Sequence, residues 1–185
     1  MRVAKKAALL VLLCVPLSGC SSGTTSTNGA ERSNMNMQEA AGRADEILDS
    51  VLDAIHPGVE WAHGPTTTGS CDVSRRRTVM TIVSAERRGS FLGLVDRFWR
   101  RSDYQMKAIN KSTELPAIYG QTADGFGVSL RFGGKGQAFF QVDSPCVEKS
   151  EVAESTTPPN GPAYEGVYPL PRPNVRSDFW SAGAP

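Results

Sequence analysis

The chain has 185 residues, with 20 lysines and arginines against 19 aspartates and glutamates. That length holds one domain once its termini are set aside. A net charge of +1 supplies no global field for a nucleic-acid partner.

Arg2, Lys5 and Lys6 make a positive start, and Ala7 to Leu17 is an apolar run interrupted at Pro16. The run fits a secretory apolar region of about 7–15 residues and falls short of the about 20 that a spanning helix needs. Leu17-Ser18-Gly19-Cys20 follows, with small residues that admit an extended chain to a peptidase and a cysteine directly after them. The arrangement resembles the signal peptide and lipobox of bacterial lipoproteins. The resemblance implies that residues 1–19 are removed and that the Cys20 thiol takes a diacylglyceryl group. The protein would then be held at the extracytoplasmic face of the cell membrane. Two acyl chains make such an anchor stable where one is marginal. Removing residues 1–19 leaves 17 bases and 19 acids, a balance of −2.

Residues 20–35 are small and polar and read as a flexible tether, holding the next segment about 20 Å from the bilayer. Of the four cysteines, Cys14 lies in the leader and Cys20 is the lipid site, which leaves Cys71 and Cys146. In an oxidising compartment two remaining cysteines usually pair. A free thiol pair for metal or redox work is the alternative, but neither cysteine stands in a Cys-x-x-Cys or beside a histidine.

Residues 36–148 read as one α+β domain. Asn36 caps a helix over 37–55, with Glu39 placed for a capping box. Ala41, Ala44, Leu48, Val51, Leu52 and Ile55 give it an apolar stripe at helical spacing. Glu39, Asp45, Glu46, Asp49 and Asp53 are assigned to the opposite face, and Pro57-Gly58 ends the helix. A β-branched run predicts a strand over 77–85. A second helix is expected over 90–101, capped by Ser90, with a stripe of Phe91, Leu94, Val95, Phe98 and adjacent Trp99. Short strands are predicted at 104–110, 117–122, 126–132 and 137–143. Asp124-Gly125 marks a hairpin turn, and Gly133 to Gly136 a looser one. Helix, strand, helix and meander predict a two-layer sandwich, with both helices on one face of a mostly antiparallel sheet. A Cys71–Cys146 bridge would staple the ends of that sheet region. Residues 149–185 are proline-rich and read as a disordered or extended tail. Its Tyr164, Tyr168, Phe179 and Trp180 could dock on the domain or on a partner.

A wider resemblance covers residues 71–147. It rests on Cys71-Asp72, Arg75-Arg76-Arg77, Val83-Ser84-Ala85-Glu86-Arg87-Arg88, Phe98-Trp99, Pro116-Ala117-Ile118-Tyr119, Asp124-Gly125-Phe126, Gly136-Gln137-Ala138-Phe139-Phe140 and Ser144-Pro145-Cys146-Val147. Together these resemble uncharacterised lipoproteins of high-GC Gram-positive (actinobacterial) bacteria. The resemblance supports the architecture and the disulfide and implies no catalytic residue.

Catalytic patterns are sparse. His56, Glu60 and His63 have a ligand-like spacing, but Pro57-Gly58 breaks the helix that would align them, so a loop with solvent-facing histidines is expected and no metal. No Gly-x-Ser-x-Gly elbow occurs. The Gly-x-Gly runs at 125–127 and 134–136 lie in the meander, not before a helix as a phosphate cradle requires. No cofactor is implied.

The arginines carry more information. Residues 31–60 hold seven acids and two bases, whereas residues 71–111 hold ten bases and four acids. Arg75, Arg76 and Arg77 precede the predicted strand, Arg87 and Arg88 follow it, and Arg97, Arg100 and Arg101 sit on the second helix. A guanidinium fork suits phosphate or carboxylate, so anionic headgroups or an anionic wall polymer are candidate partners. The competing reading pairs this basic segment with the acidic helix inside the domain. The function expected is a lipid-anchored envelope protein acting as a non-enzymatic binding or accessory module. Two alternatives stand beside it: a small envelope enzyme acting on cell-wall material, and a structural subunit docking through its tail.

Overall fold

The computed structural model describes residues 34–162 and 173–185. The leader, Cys20 and most of the tether lie outside these residues, as do Tyr164 and Tyr168.

Helix α1 spans Met37–Asp53. Its capping box is complete: Asn36 Oδ1 accepts from Glu39 N at 3.0 Å, and the Glu39 carboxylate accepts from Asn36 N at 2.9 Å. Such a cap contributes about 1 kcal/mol. The expected stripe is buried, and Ile55 continues it past the helix end. Asp45 is the exception to the expected polar face, since it too is buried. The helical repeat explains this. Asp45 lies four residues after Ala41 and three before Leu48, so it shares their face.

The strands are β1 (Trp61–His63), β2 (Thr67–Thr68), β3 (Val73–Val79), β4 (Gln105–Asn110), β5 (Ala117–Gln121), β6 (Gly127–Phe132) and β7 (Ala138–Asp143), with helix α2 (Arg88–Arg101) between β3 and β4. They form one antiparallel sheet in the order β1-β3-β7-β6-β5-β4, with β2 also paired to β3. The fold is therefore the expected α+β sandwich. The four meander strands stand within two residues of their predicted bounds. The first predicted strand does not: β3 ends at Val79, where 77–85 was expected. Past it the chain leaves the ladder, and the Met80 carbonyl is taken by Asn174 N and Val175 N, both at 3.0 Å. Helix α2 starts two residues earlier than expected, with Arg87 rather than Ser90 at its cap and no side-chain cap bond.

Strand register assigns the two sheet faces. Arg77, Phe140, Leu130, Ile118 and Ile109 stand opposite one another across β3, β7, β6, β5 and β4, on the helix side. Their neighbours Arg76, Gln141, Ser129, Tyr119 and Ala108 share the other side. The core lies between the helices and the first face, with Phe91, Val95, Trp99, Leu130 and Phe140 almost fully buried.

Cys71 and Cys146 form a disulfide with Cα atoms 4.8 Å apart. They lie just before β3 and just after β7, which are direct neighbours, so the bridge ties adjacent strands rather than opposite edges of the sheet. Val147 N also donates to Cys71 O at 2.7 Å. The bridge joins positions 75 residues apart, a closure that contributes roughly 4.5 kcal/mol in the chain-entropy account.

The described parts of the tail are docked: residues 149–162 are without regular structure, and residues 178–183 form turns. Residues 149–162 run beside α1: Ala153 N donates to Gln38 Oε1, Thr157 Oγ1 to Asp49 Oδ2, and Gly161 N to Trp61 O. A Cβ at Gly161 would lie 2.9 Å from the Trp61 backbone, so only glycine allows this approach. Residues 173–185 return to the 80–84 segment, where Ile82 N donates to Val175 O and Ser84 N to Trp180 O. Trp180 is 1 % exposed, stands edge-on to Phe91 at 5.0 Å and donates its indole N–H to Pro57 O at 2.6 Å. Proline content signals an extended chain, but backbone hydrogen bonds and one large indole fix where it lies.

Candidate functional site

The arginines separate into three settings. Arg75 and Arg77 project from β3 toward α1 because alternate strand residues share a face. Arg75 Nε is 3.3 Å from Asp45 Oδ2, and Arg77 Nη2 is 2.7 Å from Asp45 Oδ1 and 3.5 Å from Asp49 Oδ1. The tail closes the network, with Arg75 donating to Ala153 O at 2.6 Å and Arg77 to Ser155 Oγ at 3.1 Å. The Arg77 guanidinium also lies over the Trp61 ring, 4.7 Å from its centroid. At 2 % and 1 % exposure neither arginine reaches an external anion. The expectation of surface contact is corrected for these two: the basic and acidic segments pair inside the domain.

Arg76 points to the opposite face. It donates to Gln141 Oε1 at 2.9 Å, to Pro65 O at 3.0 Å and to Thr67 Oγ1 at 3.1 Å. The α2 arginines form the third setting. Arg87 covers the Phe179 ring at 4.5 Å, and Arg88 Nη1 donates to Glu114 O at 3.2 Å. Arg100 pairs with Asp96 at 2.9 Å. Arg97 and Arg101 are exposed. The sequence-predicted arginines therefore do not form a single patch.

The histidines do not converge either. His56 is exposed, whereas His63 is half-buried in β1, with Nε2 2.8 Å from Thr157 O and its ring edge-on to Trp61. His63 is thus a strand residue holding the tail, not the solvent-facing loop residue expected. Among the described residues, no group of three or more His, Cys, Asp and Glu side chains is placed to hold a metal ion. Among the same residues, no helix is long and apolar enough to cross a membrane.

One concavity among the described residues was not anticipated. A groove of about 740 Å³ runs between α2 and the β4–β5 hairpin. That size lies within the range of small-ligand sites. Phe91, Val95 and Trp99 turn the main stripe of α2 into the core, which leaves Gly89, Leu92, Gly93 and Asp96 along the groove at helical spacing. The other wall is Ile109 to Thr113 with Pro116 and Ile118. Ile109 belongs to the sheet's edge strand and is 52 % exposed, an unusual state for a large aliphatic residue facing the helix layer.

The two glycines form the depression. A Cβ at Gly89 would meet nothing within 4 Å, and one at Gly93 would meet only the tip of the flexible Arg97 side chain, at 3.3 Å. Neither has a positive φ. A glycine in a helix interior costs about 0.8–1 kcal/mol relative to alanine, which applies to Gly93; Gly89 stands in the first turn, and sterics require glycine at neither position. Glu86, Arg88, Asp96 and Lys111 bring both signs of charge to the groove. Asp96 Oδ1 and Arg88 Nε are buried there without a hydrogen-bond partner among the described residues. In comparisons with known proteins, no family model, no curated protein and no solved structure matches this chain. The groove must therefore be read on its own chemistry. Its one sequence-level signal was the Gly89/Gly93 pair inside a helix whose stripe was otherwise complete.

Proposed function

We propose that the chain is exported, anchored by a lipid on Cys20, and acts outside the membrane as a non-enzymatic binding module. Its ligand lies in the α2/β4–β5 groove. The observation that carries this reading is a helix depressed by two glycines that packing does not require, facing an exposed isoleucine across about 740 Å³. Such a groove suits a ligand with a narrow apolar body and a polar end reaching Arg88 or Asp96. The lipobox supplies the location, and the small polar segment before α1 supplies reach. The described tail residues are bonded to their own domain, so they are not the docking element in this reading.

The test is photo-crosslinking in cells with a photoreactive residue at position 109, and with the same residue at the exposed position 53 as control. An adduct found from position 109 only, and lost in Gly89→Leu/Gly93→Leu, supports the groove. Equal labelling from both positions, or labelling unaffected by filling the groove, rejects it. Fractionation of Cys20→Ser tests the anchor separately: the variant should leave the membrane fraction or remain unprocessed. Retention in the membrane at mature size would remove the lipid from the account.

A further inference from the structure

We propose that the face of the sheet turned away from the helices binds an anionic polysaccharide, through a site centred on Arg76 and Arg131. This site is separate from the groove, which lies on the helix side.

Arg76 of β3 and Arg131 of β6 flank Gln141 of β7 and converge on one neutral atom. Arg76 Nε donates to Gln141 Oε1 at 2.9 Å, and Arg131 Nη2 donates to the same oxygen at 2.8 Å. Two like charges are thus held together by an amide, where a carboxylate would ordinarily sit. Asp143 is the acid of this network. It accepts from Ser74 Oγ and from Gln141 Nε2, and it forms no ion pair with either arginine. Burial holds the Arg76 guanidinium below its ordinary value; the nearby Arg131 charge adds to that and Asp143 opposes it. Arg131 is exposed, and its remaining N–H groups make no bond among the described residues. Arg131 therefore presents free guanidinium donors to an incoming oxyanion, beside Arg76, whose Nε and Nη1 are already bonded and whose charge adds to the attraction.

The surroundings indicate a sugar chain rather than a lipid headgroup layer. Phe139 pairs directly with Arg131, and Tyr119 lies one strand further on the same face. Both residues are half-buried. A hollow of about 330 Å³ is lined by Arg131, Phe132, Gly133 and Phe139. Gly133 is needed there, because a Cβ would come within 2.8 Å of the Phe139 ring. Half-buried aromatic rings beside an amide side chain offer the apolar surface and hydrogen bonds that sugar rings use. Five strands, from β3 across to β4, give this face a width of about 19 Å at the usual strand spacing, enough for an extended chain. Insertion into headgroups calls for long side chains that project, yet Gln141 tethers both guanidiniums to the sheet.

The experiment uses the full chain in detergent micelles, titrated with fluorescent polygalacturonate, with neutral dextran and with phosphatidylglycerol vesicles. Polygalacturonate should bind, and binding should weaken as salt rises. Arg131→Gln should weaken it roughly tenfold, and Arg76→Gln by a similar factor. Arg131 is exposed, so its variant keeps the native circular dichroism spectrum and decides the matter even if Arg76→Gln folds poorly. Equal binding of dextran, wild-type affinity in Arg131→Gln, or binding to vesicles alone would each overturn the proposal. Gly89→Leu/Gly93→Leu should bind polygalacturonate like the wild type, which separates failure of this site from failure of the groove.

Discussion

The α1 half of the molecule and the α2 half are built on opposite terms. Under α1, the charged groups are committed to one another: Asp45 takes two arginines, the tail covers them, and a disulfide ties β3 to β7. Under α2, the helix has no side-chain cap and leaves Ile109 half uncovered, and its two glycines, which like Gly42 of α1 have room for a Cβ, here face a groove. One half spends its chemistry on holding the fold, and the other leaves chemistry free. A concentration of charged residues in sequence is thus a poor guide to function here, because the densest run, Arg75 to Arg77, is mostly structural.

The sharpest way to break this comparison is Asp45→Ala. It removes the carboxylate shared by Arg75 and Arg77, whose side chains are 2 % and 1 % exposed. Breaking one partner of a buried ionic cluster costs about 3–5 kcal/mol. Urea unfolding should show that loss. A change under 1 kcal/mol would mean that water or the tail can compensate, and the α1 half would lose its distinction.

Trp180→Ala tests whether the tail belongs to this tied half. The indole is buried against Phe91 and donates to Pro57 O. Truncating a buried aromatic residue costs about 3–5 kcal/mol, and the tail's other anchors should hold this case to the lower end. Protease cleavage within 173–185 should accelerate together with the fall in stability. A tail that frays while the domain keeps its full stability would show that the two are not coupled.

Much of this architecture was legible, and the misses have specific causes. The capping box at Asn36 and Glu39, the turn at Asp124-Gly125 and the cysteine pair are local or combinatorial signals, and each appears where expected. Asp45 was misplaced because residue type was allowed to outweigh helical spacing: an acid was assigned to solvent although Ala41 and Leu48 put it inside. The error at β3 has the same root. The predicted strand began only at Arg77, but β3 starts at Val73, and strand alternation sends Arg75 and Arg77 inward to that acid. A buried charge cannot be recognised until its partner is placed, and the partner lay 30 residues upstream on another element. The groove was missed because its second wall, Ile109 to Thr113 with Pro116 and Ile118, lies on another element, and the Gly89/Gly93 pair alone does not say what faces it. Arg131 was missed for a similar reason: nothing in the sequence links it to Arg76, which reaches it only across β7.

On the open side, Gly93→Ala should raise stability. The site accepts a Cβ, φ is not positive, and the helix gains about 0.8–1 kcal/mol. The melting temperature should rise by a few degrees. A destabilised variant would mean that Arg97 cannot move aside, and the glycine would return to the structural account. The stabilised outcome is the one that makes the groove costly to the fold, and therefore informative.

The smallest effect concerns the ion pair between the halves, Arg43 Nε of α1 to Asp124 Oδ2 of the β5–β6 turn, at 2.9 Å. Burial alone would raise the Asp124 carboxyl, but hydrogen bonds from Thr122 and Arg43, together with the Arg43 charge, hold it below its ordinary value. A carboxylate depressed in the folded state contributes stability above the unfolded value of about 3.9, and that contribution disappears as pH falls through the lower folded value. The two side chains are 40 % and 43 % exposed, so solvent screening limits the pair to about 0.2–1 kcal/mol. Asp124→Asn should therefore unfold at slightly lower urea than the wild type at pH 7, and the two midpoints should merge as the solution approaches pH 2. A gap that persists at low pH would assign the effect to the Thr122 turn geometry instead of charge. In that case the two halves would be joined only through the core and the sheet.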